Sequence, residues 1–268
     1  MAAVYLGDIL ATKRNNFSLI RLLAALSVLI SHVLLLRSGN PASEYLAGMT
    51  FYNLSQHAVN VFFVLSGIMV SASLARSSSL VDFAVARLLR IFPALIACTL
   101  VLSLVIGPLV TVLPVECYRT SKTFLGFILR TASMSTGAAP LPGVSVNNPH
   151  PVVVGAPIWT LKYEIACYVV LAILALVRGL NSTGRFTTFI ITSWIASILI
   201  LVNDFGSAAT PIDHLARFWL CFSFGIALYR LRAYVPLFIG VVGAFGIAWW
   251  AVHGSAFEPV ISLFATGY

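Results

Sequence analysis

The chain has 268 residues, 60% of them hydrophobic and 9% charged, with a mean hydropathy of +0.99. Soluble domains carry about 25% charged residues, so a water-soluble globular protein is excluded and a polytopic membrane protein is implied. The formal net charge of +8 does not point to nucleic acid, because the basic residues sit scattered at the ends of apolar segments and form no dense patch.

A helix needs about 20 apolar residues to cross the hydrocarbon core. Stretches of that kind lie at 17–37, 57–75, 91–113, 158–178, 186–203, 214–232 and 234–253. The predicted fold is therefore an all-α transmembrane bundle of seven spans, with an eighth beginning near Pro259. The ten residues left for that last span rise only about 15 Å, so the sequence reads as cut off within it. The first stretch is too long for a signal-peptide core and lacks a small-residue cleavage site, so it is expected to remain as a span. Lys13, Arg14, Arg76, Arg87, Arg90, Arg178, Arg185, Arg230 and Arg232 would be inside if the N-terminus is cytoplasmic. Arg37, Arg119, Lys122 and Arg130 would be outside, and this asymmetry favours that orientation.

Within the first span, "RLLAALSVLISHVLLL" carries Arg21 and His32. Eleven residues make nearly three helical turns, so both project from one face, Arg21 toward the inner side and His32 in the outer half. A central arginine costs roughly 2.5–3.5 kcal/mol on insertion scales, and intramembrane ionisable groups usually line a cavity. The plainer alternative is that Arg21 snorkels to headgroups while His32 bonds a neighbouring helix. In "VFFVLSGIMV", Ser66 and Gly67 permit a close helix approach, and His57 and Asn60 can face an outer cavity. In "RLLRIFPAL", Arg87 and Arg90 share a face at the inner surface, suited to anionic lipid or a phosphorylated ligand. Pro93 is expected near the start of its span.

The long outer segment 114–157 contains "KTFLGFILRTAS", which reads as an interfacial helix. "PIWTLKYEIACY" then places Glu164 about 9 Å below the outer boundary by helix rise, a depth similar to that of His32. The two can pair, the carboxylate orienting the imidazole; pairing with Lys162 or stabilisation of the helix start explains Glu164 equally well. Asp213-His214 reads as a helix cap. The four cysteines lack metal-ligand spacing and read as packing residues. No phosphate loop, zinc pattern or nucleophile elbow appears.

"NNFSLIRLLAALSVLISH", "VNVFFVLSGIMV", "ARLLRIFPAL" and "PIWTLKYEIACY" occur here in an order that resembles the membrane acyltransferase 3 family, over about positions 15 to 178. These are polytopic O-acyltransferases of bacterial polysaccharides, lipopolysaccharide and Nod factors. The resemblance implies a single integral-membrane acyltransferase domain over 1–268, shortened from a fold of about ten spans. It implies an acyl-CoA donor, usually acetyl-CoA, no metal, a carbohydrate acceptor, and a multi-pass protein of the inner membrane. Arg21 and His32 match the family's arginine–ten residues–histidine motif, which makes His32 the expected catalytic residue, as general base or as the carrier of a covalent acyl group, with Glu164 orienting it or helping to bind the sugar. Arg87, Arg90 and Arg21 are expected to bind the donor, and Asn60, Ser66 and Trp159 the acceptor. Two departures stand out: Ala86 replaces the first of two adjacent arginines, and Asn60 stands where an acid is common. A glycan transporter using the same intramembrane groups and an inactive shortened homologue are the rival readings.

Overall fold

The computed structural model describes residues 4–12, 16–135, 139–149, 154–177, 179–180, 182–205, 209–237 and 239–268. Lys13, Arg14 and Arg178, used above for orientation, lie outside the described residues. In chain order the helices are α1 (Leu6–Ala11), α2 (Phe17–Ser38), α3 (Leu54–Arg76), α4 (Leu80–Val101), α5 (Gly107–Val110) and α6 (Val115–Thr120). They continue with α7 (Lys122–Ala132), α8 (Leu161–Leu176), α9 (Thr183–Asn203), α10 (Pro211–Arg230), α11 (Ile239–Val252) and α12 (Glu258–Gly267). Among the described residues there is no β-strand, only two isolated β-bridges.

Local chemistry sets many of these boundaries. Asn53 and Gln56 form a reciprocal capping box that starts α3, and Thr210 and Asp213 do the same for α10. Asp213 thus has the capping role expected of it. Ser79 accepts from the Asp82 N–H and starts α4 at Leu80, well before the apolar stretch that was expected to open near residue 91. Pro93 is consequently inside the helix rather than at its start. The cap and the amphipathic run 80–90 extend the helix backward, a local signal that a hydropathy window does not register. After α4 the backbone loosens into a π-helical turn over Leu102–Ile106 before α5.

Among the described residues, five segments are long and apolar enough to cross a membrane: Phe17–Ser38, Leu54–Arg76, Leu80–Val110, Ala156–Leu176 and Thr183–Asn203. Two of the seven expected spans are not among them. α11 has 14 residues and rises about 21 Å, short of the roughly 30 Å hydrocarbon core. α10 has the length, but Asp213, Arg217 and Arg230 interrupt its apolar character and most of it is buried.

The chain divides into two compact units. The first comprises Met1–Val33, Pro41–Ser77 and Ile173–Tyr268, the second Leu34–Asn40 and Ser78–Ala172. In the first, α3 and α10 form the most intimate pair, with α9 and α12 packed beside them. Gly67 makes this possible, since a Cβ there would stand 2.0 Å from the Phe222 carbonyl oxygen and 3.0 Å from Gly225 Cα. The reading of Gly67 as a close-approach residue therefore holds. Phe63 and Phe218 stack at 4.3 Å between centroids, and Trp194 of α9 donates its indole N–H to Ser223 Oγ at 2.8 Å.

In the second unit, α7 packs on α4, so "KTFLGFILRTAS" does form a helix. Leu125 and Leu129 face outward, while Phe127 is fully buried with Tyr118, Ala139 and Leu141. The Tyr118 hydroxyl donates to the Ser103 carbonyl at 2.8 Å, filling an acceptor in the π-turn. Cys167 and Cys221 are buried as packing residues, whereas Cys98 and Cys117 are exposed.

Candidate functional site

α2 is two-faced in burial. Leu22, Leu23, Leu26, Leu29, Ile30 and Val33 are exposed on one side. Arg21, Ala24, Val28, Ser31 and His32 form the covered stripe, with Ala24 and Ser31 buried and the others half-buried. A 22-residue apolar helix with such a face presents its leucines to lipid and keeps its ionisable groups off it. Arg21 and His32 share a side, as the eleven-residue spacing predicts.

The ring of His32 is fixed within its own helix. Nδ1 lies 2.8 Å from the Val28 carbonyl oxygen. A carbonyl only accepts, so Nδ1 carries the hydrogen and, in the neutral ring, Nε2 carries the lone pair. No described residue hydrogen-bonds to Nε2. This is the tautomer that a base working through Nε2 requires, and one backbone group of the preceding turn imposes it.

The remaining expected residues fall into two sets. Asn60 and Ser66 lie with Arg21 and His32 in the first unit, both buried on α3. Arg87, Arg90, Trp159 and Glu164 lie in the second. On α4, Arg87 is half-buried and Arg90 exposed, one turn apart. Trp159 sits on a 3-10 turn, Ala156–Thr160, that leads into α8, with its ring edge-on to Tyr163 at 5.6 Å. Glu164 is one turn into α8 and accepts a hydrogen bond from the hydroxyl of Tyr168, one turn further on. Lys162 lies over the Tyr163 ring at 4.9 Å.

Asn60 has a partner the sequence did not suggest. Arg217 of α10 is 5% exposed. Its Nε donates to Asn60 Oδ1 at 2.8 Å and its Nη2 to the Gln56 carbonyl at 2.8 Å. The guanidinium carbon also lies 4.2 Å from the centroid of the Tyr52 ring, a cation–π contact. A buried arginine is thus held by an amide, a carbonyl and an aromatic face, and Asn60 occupies the place where an anion would neutralise it. The Tyr52 hydroxyl and Asn60 Nδ2 are buried and make no hydrogen bond with a described residue. Burial pushes the Tyr52 phenol up to about 12, with Arg217 pulling in the opposite direction. The signal for Arg217 was present: an arginine three residues inside a predicted span, as anomalous as Arg21.

Beside this cluster, Glu258 opens α12. It accepts from the Phe51 N–H at 2.9 Å and the Gly254 N–H at 2.7 Å, and pairs with His253 at 3.1 Å. Burial alone would raise its carboxyl, but these donors outweigh it and hold the group below its ordinary value. Among the described residues, no three His, Cys, Asp or Glu side chains converge as a metal site.

Comparisons with known proteins agree with the motif order. A family model for the acyltransferase 3 group, described as an acyltransferase domain, matches residues 14–267. An O-acetyl transferase of Shigella phage Sf6 is 29% identical over 240 residues, covering 88% of this chain and 64% of the relative. Nodulation protein 10 of Rhizobium leguminosarum bv. viciae is 30% identical over 270 residues, covering 91% of this chain and 68% of the relative. The chain therefore spans about two thirds of the length of these relatives. No solved structure matches.

Proposed function

Because this chain belongs to the acyltransferase 3 family, we propose that it is an integral-membrane O-acyltransferase. It moves an acyl group, with acetyl the first to test, from acyl-CoA to a hydroxyl of an extracytoplasmic or lipid-linked glycan. The observation that carries this reading is His32: an imidazole on the covered stripe of an otherwise lipid-facing helix, its tautomer set by the Val28 carbonyl.

In the proposed reaction His32 Nε2 takes the proton of the acceptor hydroxyl as its oxygen attacks the thioester carbonyl carbon. The carbon–sulfur bond then breaks, the CoA thiolate leaves, and the proton passes from His32 to the sulfur. Arg87, Arg90 and Arg21 bind donor phosphates through charge-assisted hydrogen bonds. Trp159, Asn60 and Ser66 serve the acceptor, and Glu164 orients His32 or helps to bind the sugar. The protein lies in the inner membrane with its N-terminus cytoplasmic, so the donor arrives from inside and the acceptor from outside. Seven or eight spans complete the proposed arrangement.

The test is incubation of membranes carrying the protein with labelled acetyl-CoA and surface glycan. Label appearing in base-labile ester on the glycan supports the proposal. Movement of glycan across the membrane with no ester formed would instead identify a transporter.

A further inference from the structure

Sequence periodicity gives α7 an apolar and a polar side, but in the second unit its residues fall into three sectors. At about 3.6 residues per turn, Phe124, Phe127, Ile128 and Thr131 share one side. Phe127 and Thr131 are fully buried there, and Phe124 and Ile128 pack against the cluster of Tyr118, Phe127, Ala139 and Leu141. Leu125 and Leu129 form the next flank and are 57% and 60% exposed. Lys122, Thr123, Arg130 and Ser133 make up the third sector, all exposed. Gly126 lies among them, and a Cβ there would meet nothing within 4 Å.

Each open flank is ill suited to one solvent. Leu125 and Leu129 extend the exposed apolar run of Val110, Val112, Leu113 and Val115 that follows the Leu80–Val110 span, and a contiguous apolar patch of this kind is disfavoured in water. In hydrocarbon, the cations and hydroxyls of the third sector would lose their hydration. A helix lying along a membrane surface satisfies both flanks at once, with the leucines at the acyl chains and the polar sector at the headgroups. Charge then selects the headgroup. Arg119, Lys122 and Arg130 are exposed, and none forms an ion pair among the described residues. From position 114 to 157 the sequence holds one acid, Glu116. Lys122 and Arg130 stand about 12 Å apart along the axis, so each can meet its own phosphate, their flexible stems reaching up while the leucines point down. A zwitterionic headgroup balances its phosphate with its own ammonium; an anionic one leaves that charge for the protein.

We propose that α7 docks on anionic phospholipid, with Leu125 and Leu129 inserted beside the acyl chains and Lys122 and Arg130 on lipid phosphates. The contact braces the second unit from the side opposite the buried Phe127. It requires a membrane-embedded chain and does not depend on acyl transfer.

The experiment uses the whole protein in lipid nanodiscs, with Cys98→Ser and Cys117→Ser removing the two exposed thiols. A nitroxide is attached in turn through Thr123→Cys, Leu125→Cys, Gly126→Cys, Leu129→Cys and Ser133→Cys, and its collisions with oxygen and with a water-soluble nickel chelate are compared. The oxygen-to-nickel ratio is expected to be at least threefold higher at positions 125 and 129 than at 123, 126 and 133. High ratios at all five would place α7 within the hydrocarbon, and low ratios at all five would place it in water. Protection of positions 125 and 129 from both reagents would reveal a protein partner or a second copy. Each of these results overturns the proposal. The choice of lipid is read from the thermal midpoint in nanodiscs of phosphatidylcholine alone or mixed with phosphatidylglycerol. Phosphatidylglycerol is expected to raise the midpoint of wild type by several degrees, and the gain should fall by at least half when Lys122→Gln and Arg130→Gln are combined. No gain in wild type, or the same gain in the double variant, would overturn the assignment of an anionic lipid to α7.

Discussion

Arg217 shows how a buried charge can be held without a carboxylate. Its Nε and Nη2 bonds and the Tyr52 ring replace the water it lost. In Arg217→Leu, Asn60 Oδ1 loses its donor while the Gln56 carbonyl keeps only its bond within the helix, and a buried acceptor left unsatisfied costs about 1–3 kcal/mol. The thermal midpoint in detergent is expected to fall by several degrees. Asn60→Asp puts a carboxylate against a guanidinium that is already desolvated, so the midpoint should rise; a fall would mean that the new charge costs more than the pairing returns. Glu258 gives a pH signature. Its carboxyl is lowered from an ordinary value of 4.5 in the folded chain, so its contribution to stability is complete above that value and is lost as pH falls through the lower folded one. Acid titration of the midpoint should show this loss, and Glu258→Gln should flatten that part of the curve. The shared side of Arg21 and His32 was legible in the sequence, because it needs only helical geometry. The Arg217–Asn60 bond was not, because its partners are 157 residues apart and no local pattern encodes their meeting.

Among the elements, the α3–α10 crossing depends most on a single residue. In Gly67→Ala the new Cβ meets the Phe222 carbonyl oxygen, a backbone atom that cannot swing away. Overpacking of this kind typically costs about 1–3 kcal/mol, so unfolding at a clearly lower temperature is expected. Gly126→Ala on α7 is the control. Nothing lies within 4 Å of a Cβ there, and relief of helical glycine entropy should stabilise by about 0.5–1 kcal/mol. Equal midpoints for the two variants would contradict the crossing described for α3. Helix existence was legible for α2, α3, α8 and α9, whose apolar lengths match their spans. The start of α4 was not, since an N-cap serine and a charged amphipathic turn carry it where hydropathy is low. The π-turn after α4 was also invisible, because the Tyr118 hydroxyl that meets it comes from 15 residues away.

For the whole molecule, composition alone was enough to place the chain in a lipid solvent, because 9% charge cannot coat a water-exposed surface. The number of crossings was less legible. α10 has apolar length but buries Asp213 and Arg217, and α11 is apolar but only 14 residues long. Hydropathy weighs composition and does not register where a helix breaks. The site is legible to the same depth: motif order points to the family, and the helix geometry of α2 then gives His32 a covered face and one available nitrogen. The central claim, that His32 is the base for acyl transfer, is tested most directly by label from [14C]acetyl-CoA entering glycan in membranes. Wild type is compared there with His32→Ala, with both proteins present at equal levels. The account predicts ester formation by wild type and none above background by His32→Ala; equal labelling by the two would contradict it.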